Sequence, residues 1–519
     1  MYKPVDIIFQ NDDIVAVFKP SGISTHAPDP EHPGLVEMLA KQLGQKLGVH
    51  QRLDAETSGI IVFSKSPAGA RKLASAFENR RLSKIYYAVV CGRPAQDSGQ
   101  WKHFLKHAGG ETVESPDGKQ AICNFKCERT IGPFSLLKLE LLTGITHQLR
   151  VQCALAGCPI LGDSRYGGGD HASRLYLHAH SLQCYDIREL PRLTANLPAE
   201  FSADLDTLLA SILSHADVHQ LPPNEAIRLI VPQHSGIPEI ILEKVASVLL
   251  VRHLEPAGKS LWDEPSLRIL FEQAKAFYGC TDVSYHVHKS PASSHACDRF
   301  EQAFSHIPEP VNATEHGNLY AFDFSGNATG LYLDQRENRK WVMQHAHGRV
   351  LNLFAYTCAF SICAAKSPNV TETTSIDAAP AALNKGRHNF DLNGIDSGCH
   401  QFIHQDVLKY LDRCAKNHIR FDTIICDPPS FGRFNKIVFS LEKDLGKLLE
   451  SCIQAAAPNA VILFSINHRR ISLSSLNAML RQLCRQYRLN PAVCEAFVND
   501  SATGPLGVGT DLKTIRMIL

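Results

Sequence analysis

Asp54 lies where side chains that do chemistry are often found, on a turn between two apolar segments. Thr57, Ser58 and Gly59 after it have the composition of a turn, and residues 60–63 predict a short buried strand. An aspartate in such a position commonly caps its own turn through its side chain. A carboxylate fixed there can also act as a nucleophile or a general base. The segment alone leaves both roles open.

A second candidate carboxylate, Asp427, follows the apolar segment 421–426 and precedes Pro428 and Pro429. The apolar segment predicts a buried strand, and the two prolines stiffen the loop that follows it. A stiff loop can point its carbonyl groups and the Asp427 side chain at an incoming substrate. The alternative is a rigid turn that has no chemical role.

Asp54 lies in one of several sequence blocks that occur together in one order. HQRLDAETSG around Asp54 resembles the HRLDxxTSG signature of the RluA-type pseudouridine synthases, and residues 84–92 resemble the KxYxAxVxG strand of that family. The remaining segments resemble the KPxG turn, the GRTHQIRV block and the PIxGDxxYG block, and they are residues 17–22, 144–151 and 159–167. Five segments in the family's order are far more specific than any one of them.

This resemblance implies an enzyme that isomerises uridine to pseudouridine in RNA and needs no cofactor. It gives Asp54 the task of acting on the sugar or base while the bond from ribose to the base nitrogen is exchanged for one to carbon. Arg150 would keep that carboxylate ionised and oriented. Tyr86 would stack on the base and could serve in proton transfer at C5. Arg52 resembles the arginine that fills the space left by a flipped base.

Contacts with RNA are less well defined than the reaction. Arg80, Arg81 and Lys84 form a basic cluster beside the tyrosine strand, although a short charge cluster is more often a solvated face. Gln51 replaces the histidine of the family signature, and Ile145 replaces an arginine. Neither position has a chemical role, but both could change how RNA is held.

The C-terminal third carries a second set of blocks. GLYLDQRENR at 330–339 resembles the TGxFLDQRxNR block of the large-subunit ribosomal RNA cytosine and guanine methyltransferases, and residues 350–357 predict a strand and turn before a helix. A Rossmann-like sheet receives its ligand at such strand ends, here S-adenosylmethionine by resemblance. Cys358 and Ala359 stand where the family usually has glycines. The resemblance places the cofactor against Arg336, Asn352, Phe354, Tyr356, Thr357, Asp377, Asp406 and Asp427.

Some of these positions have an alternative interpretation. Asp377 ends the predicted second strand, where an acid can bind ribose hydroxyls, but a helix N-cap is equally compatible with the residue alone. The DPPS loop is typical of enzymes that methylate nitrogen atoms and also occurs in cytosine-type relatives. By resemblance, Asp427, Pro428 and Pro429 form the catalytic loop, and Phe431 contacts RNA.

The methylated atom is predicted from a missing thiol. Methylation of cytosine C5 needs a cysteine thiolate that adds to C6. The two usual positions are occupied here by Ser430 and by the segment 464–470, FSINHRR, which has no cysteine. That segment is closer to the FSNNKR block of guanine methyltransferases. Guanine N7 needs positioning but no covalent activation, so we expect a guanine nitrogen, N7 ahead of N2.

A chain of 519 residues is too long for one core. We predict a multidomain protein with an α+β pseudouridine synthase fold that has a mixed antiparallel sheet, then a small α+β domain, then an α/β Rossmann-like class I methyltransferase. The small domain resembles the strand-rich central domain of the same methyltransferases. The expected bounds are 1–215, a linker at 216–225, 226–315 and 316–519.

Composition indicates an intracellular enzyme. The chain is 44% hydrophobic and 20% charged, with no apolar run of the roughly eighteen residues that span a bilayer and no visible export signal. Its sixteen cysteines form no CxxC pair, so we expect reduced thiols, no metal site and a cytoplasmic location. The formal net charge of +1 gives no global attraction to nucleic acid, so RNA affinity must come from local patches.

Taken together, the sequence predicts a bifunctional RNA-modifying enzyme. Large-subunit (23S) ribosomal RNA is the expected substrate, transfer RNA is possible, and no protein partner is inferred. The alternatives are an active synthase whose methyltransferase-like half only binds RNA, a 5-methylcytosine enzyme, and a structural assembly factor. The modified positions and the oligomeric state stay open.

Overall fold

A computed structural model of the chain describes most of its length. The described residues are 4–29, 31–214, 222–255, 260–289, 307, 310–325, 329–434, 437–468, 470–498 and 512–519. Residues 216–221 of the predicted linker lie outside them.

The N-terminal part is built on one mixed sheet of eleven strands. They are β1 (Ile7–Gln10), β2 (Ile14–Lys19), β3 (Gly48–Val49), β4 (Ser58–Ser64), β5 (Leu82–Cys91), β6 (Ser98–Ala108), β7 (Glu111–Glu114), β8 (Lys119–Ile131), β9 (Phe134–Leu141), β10 (Leu177–Cys184) and β11 (Leu193–Thr194). The path is β1-β2-β4-β10-β5-β9-β8-β6-β7, and only the β4–β10 pair of this sheet is parallel. The helices are Leu35–Leu43, Pro67–Glu78, Gln148–Leu155 and Leu205–Ser214. The predicted mixed sheet is confirmed.

The structure explains why a glycine, Gly59, stands at the start of the strand that follows Asp54. All residues of β4 are buried, and its pairing with β10 brings Gly59 against Ala179. Gly59 has φ +119°, and a Cβ there would lie 2.2 Å from the Ala179 carbonyl oxygen. Only glycine therefore allows the two central strands to pair, which fixes the start of β4 and the turn before it.

The small sheet that follows has four strands. They are β12 (Ala226–Ile230), β13 (Ile240–Val245), β14 (Val248–Glu255) and β15 (Asp282–Lys289). β12, β13 and β14 are antiparallel, as expected for this domain, whereas β14 and β15 are parallel. Helix Glu264–Tyr278 provides the crossover that a parallel pair requires. A single turn of helix, Pro232–Ser235, separates β12 from β13.

The two faces of this sheet belong to different cores. Leu249 and Val251 of β14 pack in the core of the N-terminal part. Val248 and Leu250 pack in a second core with the hairpin of β16 (Val311–Glu315) and β17 (Asn318–Phe322) and with C-terminal residues. The hairpin crosses position 315/316, where the sequence suggests a domain boundary, and the domain bounds stay a prediction.

The C-terminal part is a seven-stranded sheet with a small hairpin beside it. Its strands are β18 (Gly348–Leu353), β19 (Val370–Asp377), β20 (His400–His404), β21 (Phe421–Cys426), the hairpin β22 (Phe431–Phe434) and β23 (Ile437–Ser440), β24 (Ala456–Asn467), β25 (Val493–Val498) and β26 (Leu512–Ile518). The order β20-β19-β18-β21-β24 is parallel, and β26 and β25 add antiparallel pairs. The helices are Arg336–His345, Ala359–Ala365, Pro380–Leu392, Val407–Lys416, Leu441–Ala455 and Leu473–Gln486. The predicted Rossmann-like fold is confirmed.

Within the described ranges, none of the helices combines the length and the apolar character needed to cross a membrane.

Candidate active sites

A cavity of about 740 Å³ opens beside the turn that precedes β4. Five residues singled out in the sequence line it, and they are Arg52, Asp54, Arg80, Lys84 and Tyr86. They come from the turn, from the end of a helix and from strand β5, so the fold brings together positions separated by up to thirty-odd residues. A cavity of this size can hold a nucleotide-sized group.

Asp54 and Arg150 line an adjoining recess of about 80 Å³. Arg150 Nη1 lies 3.3 Å from Asp54 Oδ2. Its Nε and Nη2 each donate at 2.7 Å to the two carboxylate oxygens of Asp163, which is fully buried. A bidentate pair fixes both the position and the plane of the guanidinium. Asp163 therefore orients Arg150, and Arg150 orients Asp54.

His147 is a second neighbour of Asp54. Its Nε2 lies 3.8 Å from Asp54 Oδ1, and its Nδ1 lies 2.9 Å from the Tyr166 hydroxyl. Burial lowers the pKa of His147, although the charge of Asp54 opposes this, so the neutral imidazole is favoured near pH 7. Sequence reasoning gave no role to Asp163 or His147. The quoted GITHQLRV and PILGD segments contained both.

Tyr86 forms a buried wall of this site. Burial raises its pKa, and the charge of Asp54 raises it further. The side chain is therefore a neutral phenol at physiological pH, which can pack against a base and donate a hydrogen bond. This favours the stacking role over the removal of a proton.

The predicted basic cluster is divided by the fold. Arg80 and Lys84 line the cavity. Arg81 does not line it, because its Nε donates at 3.1 Å to Asp186 on the surface. Burial lowers the pKa of Lys84, and the charge of Arg80 lowers it further. A phosphate group of RNA in the cavity could therefore pair with the positive charges of Arg80 and Lys84.

Lys19 ties two turns of the site together. Its side chain is fully buried, and Nζ donates to the carbonyls of Pro20 (3.0 Å), Ile23 (2.6 Å) and Ala55 (2.6 Å). Burial lowers its pKa to about 7, against the attraction of Asp54. Three acceptors satisfy the three hydrogens of an ammonium group. The KPSG turn is therefore attached directly to the residue that follows Asp54.

We expect Asp163→Asn to weaken both stability and the synthase site. The amide removes the charge that balances buried Arg150, and breaking a buried pair costs roughly 3–5 kcal/mol. The thermal unfolding transition of the N-terminal part should fall by several degrees, and the Asp54-dependent activity should fall because Arg150 is no longer oriented. Asp117→Asn, at an exposed turn, is the control. Equal unfolding temperatures for both variants would contradict this account.

A second cavity of about 410 Å³ lies at the carboxyl ends of the parallel strands, and Asp427, Pro428 and Pro429 line it. Asp427 Oδ1 accepts hydrogen bonds from Gln335 Nε2 (2.7 Å) and Ser465 Oγ (2.8 Å). The LDQR and FSIN segments therefore orient the loop acid. Burial is the main reason that the pKa of Asp427 rises to about 7.

The loop between β18 and the next helix has an unusual backbone. Phe354, Tyr356 and Cys358 adopt φ values of +55°, +47° and +59°. Residues with side chains are rare in this region, and such strain is concentrated at functional sites. Thr357 Oγ1 donates at 2.6 Å to the Gly330 carbonyl and holds the loop. Phe354, Tyr356 and Thr357 all line this cavity or a small recess beside it.

Two further acids at strand ends line the same cavity. Asp377 accepts hydrogen bonds from the amides of Tyr356 and Ala379, each at 2.8 Å. Asp406 caps helix Val407–Lys416 by accepting from the Lys409 amide at 2.9 Å. Each acid therefore secures local backbone and also faces the cavity. The N-cap alternative for Asp377 is wrong, because the N-cap of helix Pro380–Leu392 is Ala379 and no side chain caps it.

The structure places three predicted residues away from the cavity lining. Arg336 Nη2 donates at 2.7 Å to Glu225, on the side of the small sheet. Asn352 is buried and donates at 2.8 Å to Ser361 Oγ. Phe431 is 62% exposed on β22. The fold gives Arg336 and Asn352 supporting contacts, and no cofactor role for them follows from their positions.

The raised pKa of Asp427 predicts a pH dependence of stability. The folded protein favours the protonated form, so the contribution is full below about pH 4 and is lost as pH rises through about 7. Asp427→Asn should therefore gain stability relative to wild type at pH 8 but not at pH 4, by at most a few kcal/mol. Thermal unfolding at the two pH values tests this. Asp412→Asn, half exposed, should not change the pH dependence.

Among the described residues, no group of three or more His, Cys, Asp or Glu could hold a metal ion, and the cysteines are not in disulfides.

Family models match two separate parts of the chain. Residues 13–155 match the model for RNA pseudouridylate synthase. Residues 281–486 match the model for S-adenosylmethionine-dependent methyltransferase. The two matched ranges contain Asp54 and Asp427 respectively.

Curated relatives resemble one half or the other. YwbD of Bacillus subtilis (strain 168), whose name assigns it provisionally to the ribosomal RNA large subunit methyltransferases, is 37% identical over 191 residues, which are 36% of this chain and 48% of that protein. Ribosomal RNA large subunit methyltransferase K/L of Hahella chejuensis is 39% identical over 165 residues, 31% of this chain and 22% of that protein. Ribosomal large subunit pseudouridine synthase C of Rickettsia conorii is 29% identical over 213 residues, 38% of this chain and 70% of that protein. This chain therefore spans less than half of either methyltransferase relative.

Proposed function

We propose that this chain, which joins a pseudouridine synthase domain to an S-adenosylmethionine-dependent methyltransferase domain, modifies RNA at two bases. The first domain isomerises a uridine to pseudouridine, and the second methylates a guanine nitrogen. The names of the relatives favour large-subunit ribosomal RNA as the substrate. The observation that carries the proposal is the presence of two separate cavities, each with an oriented carboxylate.

The synthase proposal is supported by the fixed relation of Asp54 and Arg150. Isomerisation breaks the bond from C1′ to N1 and forms one from C1′ to C5, while C5 loses a proton and N1 gains one. Asp54 acts at the sugar or base, and Arg150 holds its carboxylate in one orientation between these steps. Tyr86 packs on the base while it turns. Arg52 is exposed at the cavity, where it can fill the gap in the RNA.

The methyltransferase proposal is supported by the shape of the second cavity. S-adenosylmethionine supplies an electrophilic methyl group when it is bound. The strained loop 354–358 and the acids Asp377 and Asp406 fit its amino-acid, ribose and adenine parts. Asp427 and the two prolines hold the target base in line with the methyl group. Methylation of a guanine nitrogen needs positioning of the two reactants and no covalent intermediate.

A guanine nitrogen is favoured over cytosine C5 by the distribution of thiols. Among the described residues that line the second cavity, none is a cysteine. Cys426, the thiol nearest in sequence to the DPPS loop, is fully buried, and burial raises its pKa well above the ordinary value. A thiol held in that state is a poor nucleophile. Methylation of guanine N7 needs no thiol nucleophile.

The test is position-mapped nucleoside mass spectrometry of ribosomal and transfer RNA from cells that lack this gene. The cells are complemented with wild type, Asp54→Asn or Asp427→Ala. One pseudouridine should be lost with the first variant and one methylguanosine with the second. If only the pseudouridine responds, the second domain is an RNA-binding module or acts on another substrate. Calorimetry with S-adenosylmethionine separates the two, because only a binding module would fail to bind the cofactor.

A further inference from the structure

We propose that Asp334 determines the base specificity of the methyltransferase domain, by holding a guanine through its N1–H and N2–H groups. This inference rests on the proposed methyl transfer and adds the residue that selects the base. No role for Asp334 follows from the sequence blocks, although it lies within LDQR.

Asp334 is a largely buried carboxylate that lines the second cavity, and one of its two oxygens has no hydrogen-bond partner among the described residues. Its side chain is 10% exposed. Within the described part of the chain, Oδ1 is buried and has no hydrogen-bond partner. The nearest cation, Arg228 Nη1, lies 3.9 Å from Oδ2, too far for a hydrogen bond. Leaving a buried carboxylate oxygen unpaired is costly, and a ligand that donates hydrogen bonds would relieve that cost once the side chain turns toward the cavity.

The small sheet places the guanidinium of Arg228 beside Asp334. Arg228 of β12 donates at 2.7 Å to Glu243 of β13, which also accepts from Arg252 of β14 at 2.8 Å. Glu243 therefore fixes Arg228, whose Nη1 lies 3.9 Å from Asp334 Oδ2. The small sheet thus places a cation beside one residue of the cavity lining.

Asp334 lines the second cavity but not the small recess beside the strained loop. The recess of about 30 Å³ beside the strained loop contains Gln335, Thr357 and Asp427 but not Asp334. In a Rossmann-like sheet, the loop after the first strand approaches the charged end of the ligand. On the proposed function, the cofactor's amino-acid end would approach that loop, and its ribose would approach Asp377 at the next strand end. Asp334 is left for the incoming base.

Base chemistry then selects guanine. An ionised carboxylate only accepts hydrogen bonds. Guanine presents two adjacent donors, N1–H and N2–H, which match its two oxygens. Adenine and cytosine place a ring acceptor beside their amino group, and uracil places carbonyls on both sides of N3–H, so each of these would meet Asp334 with a repulsive pair. A guanine held in this way keeps its N7 edge free to face the methyl donor.

The experiment uses the full-length protein, unmodified large-subunit ribosomal RNA transcribed in vitro, and S-adenosylmethionine with a tritiated methyl group. We expect Asp334→Asn to lower methyl transfer at least about 100-fold at saturating cofactor, because one carboxylate oxygen becomes a donor that faces a donor. Cofactor affinity by calorimetry should change less than about threefold, and Asp334→Glu should recover part of the activity. Glu337→Gln, exposed in the same block, is the matched control. The wild-type product should be a methylguanosine.

Each of the other possible results leads to a different conclusion. An equal loss in cofactor affinity would place Asp334 in the cofactor site and overturn the inference, as would unchanged transfer by Asp334→Asn or a methylcytidine product. A wild-type protein that transfers no methyl group to this RNA would overturn the proposed function and the inference with it. If Asp334→Asn does not fold, inhibition of methyl transfer by the wild-type protein is measured instead. GMP should inhibit at least about tenfold better than IMP, which lacks the N2 amino group. Equal inhibition by the two nucleotides would overturn the inference.

Discussion

Asp54→Asn is expected to lower pseudouridine formation by at least about 10⁴-fold, the scale seen when a nucleophile or general base is removed. The amide has the shape of the carboxylate but neither its charge nor its basicity. The 29% exposed side chain faces the recess, so the fold should tolerate the change. Release of tritium from C5 of labelled uridine in ribosomal RNA measures the reaction, because C5 loses its hydrogen when the new bond is made.

A nearby exposed acid provides the control for this variant. Glu56→Gln changes an exposed acid two residues away and should keep the activity of wild type. Methyl transfer by Asp54→Asn should also be unchanged, because Asp54 and Asp427 line different cavities. A variant that retained more than about 1% of the pseudouridine activity would remove Asp54 from its proposed role.

The pairing of Asp54 with Arg150 could be anticipated because both lie in recognisable blocks. Asp163 could not, since its importance depends on complete burial and on two hydrogen bonds across a gap of 13 positions. His147 stood in a quoted block as well. Its position next to Asp54 depends on an unusual backbone, φ +55°, which no residue pattern indicates.

The LDQR segment shows a second limit of sequence patterns. Asp334, Gln335 and Arg336 are consecutive, yet one faces the cavity, the next holds Asp427, and the third pairs with Glu225. Successive side chains diverge because a 3₁₀ turn passes into a helix there. A motif identifies the segment but cannot say which of its residues reaches the ligand.

The position of the small sheet could be predicted in part from the sequence. The run Val248–Val251 is apolar at every residue, which indicates a strand that is buried on both faces. A strand of that kind must lie between two other layers, and here the layers are the two halves of the chain. The parallel pairing of β14 with β15 was not readable, because it depends on the path of helix Glu264–Tyr278 over the sheet.

Asp427→Ala is expected to lower methyl transfer by about 10²- to 10³-fold, the scale for one preorganised electrostatic group. A guanine becomes cationic when its N7 takes a methyl group, so a carboxylate oriented by Gln335 and Ser465 stabilises the charge as it develops. Transfer of the tritiated methyl group to ribosomal RNA at saturating cofactor measures the loss. Asp412→Ala, half exposed and outside the cavity lining, is the control.

Charge and shape can be separated at the same position. Asp427→Asn keeps an oxygen that accepts from Gln335 and Ser465 but has no charge to offer. Because the pKa of Asp427 is about 7, the wild-type rate should rise as pH increases through 7, while the Asn variant should be slow and independent of pH in that range. A variant as fast as wild type at pH 8 would mean that Asp427 only shapes the loop, and the rigid DPPS turn would then account for the site.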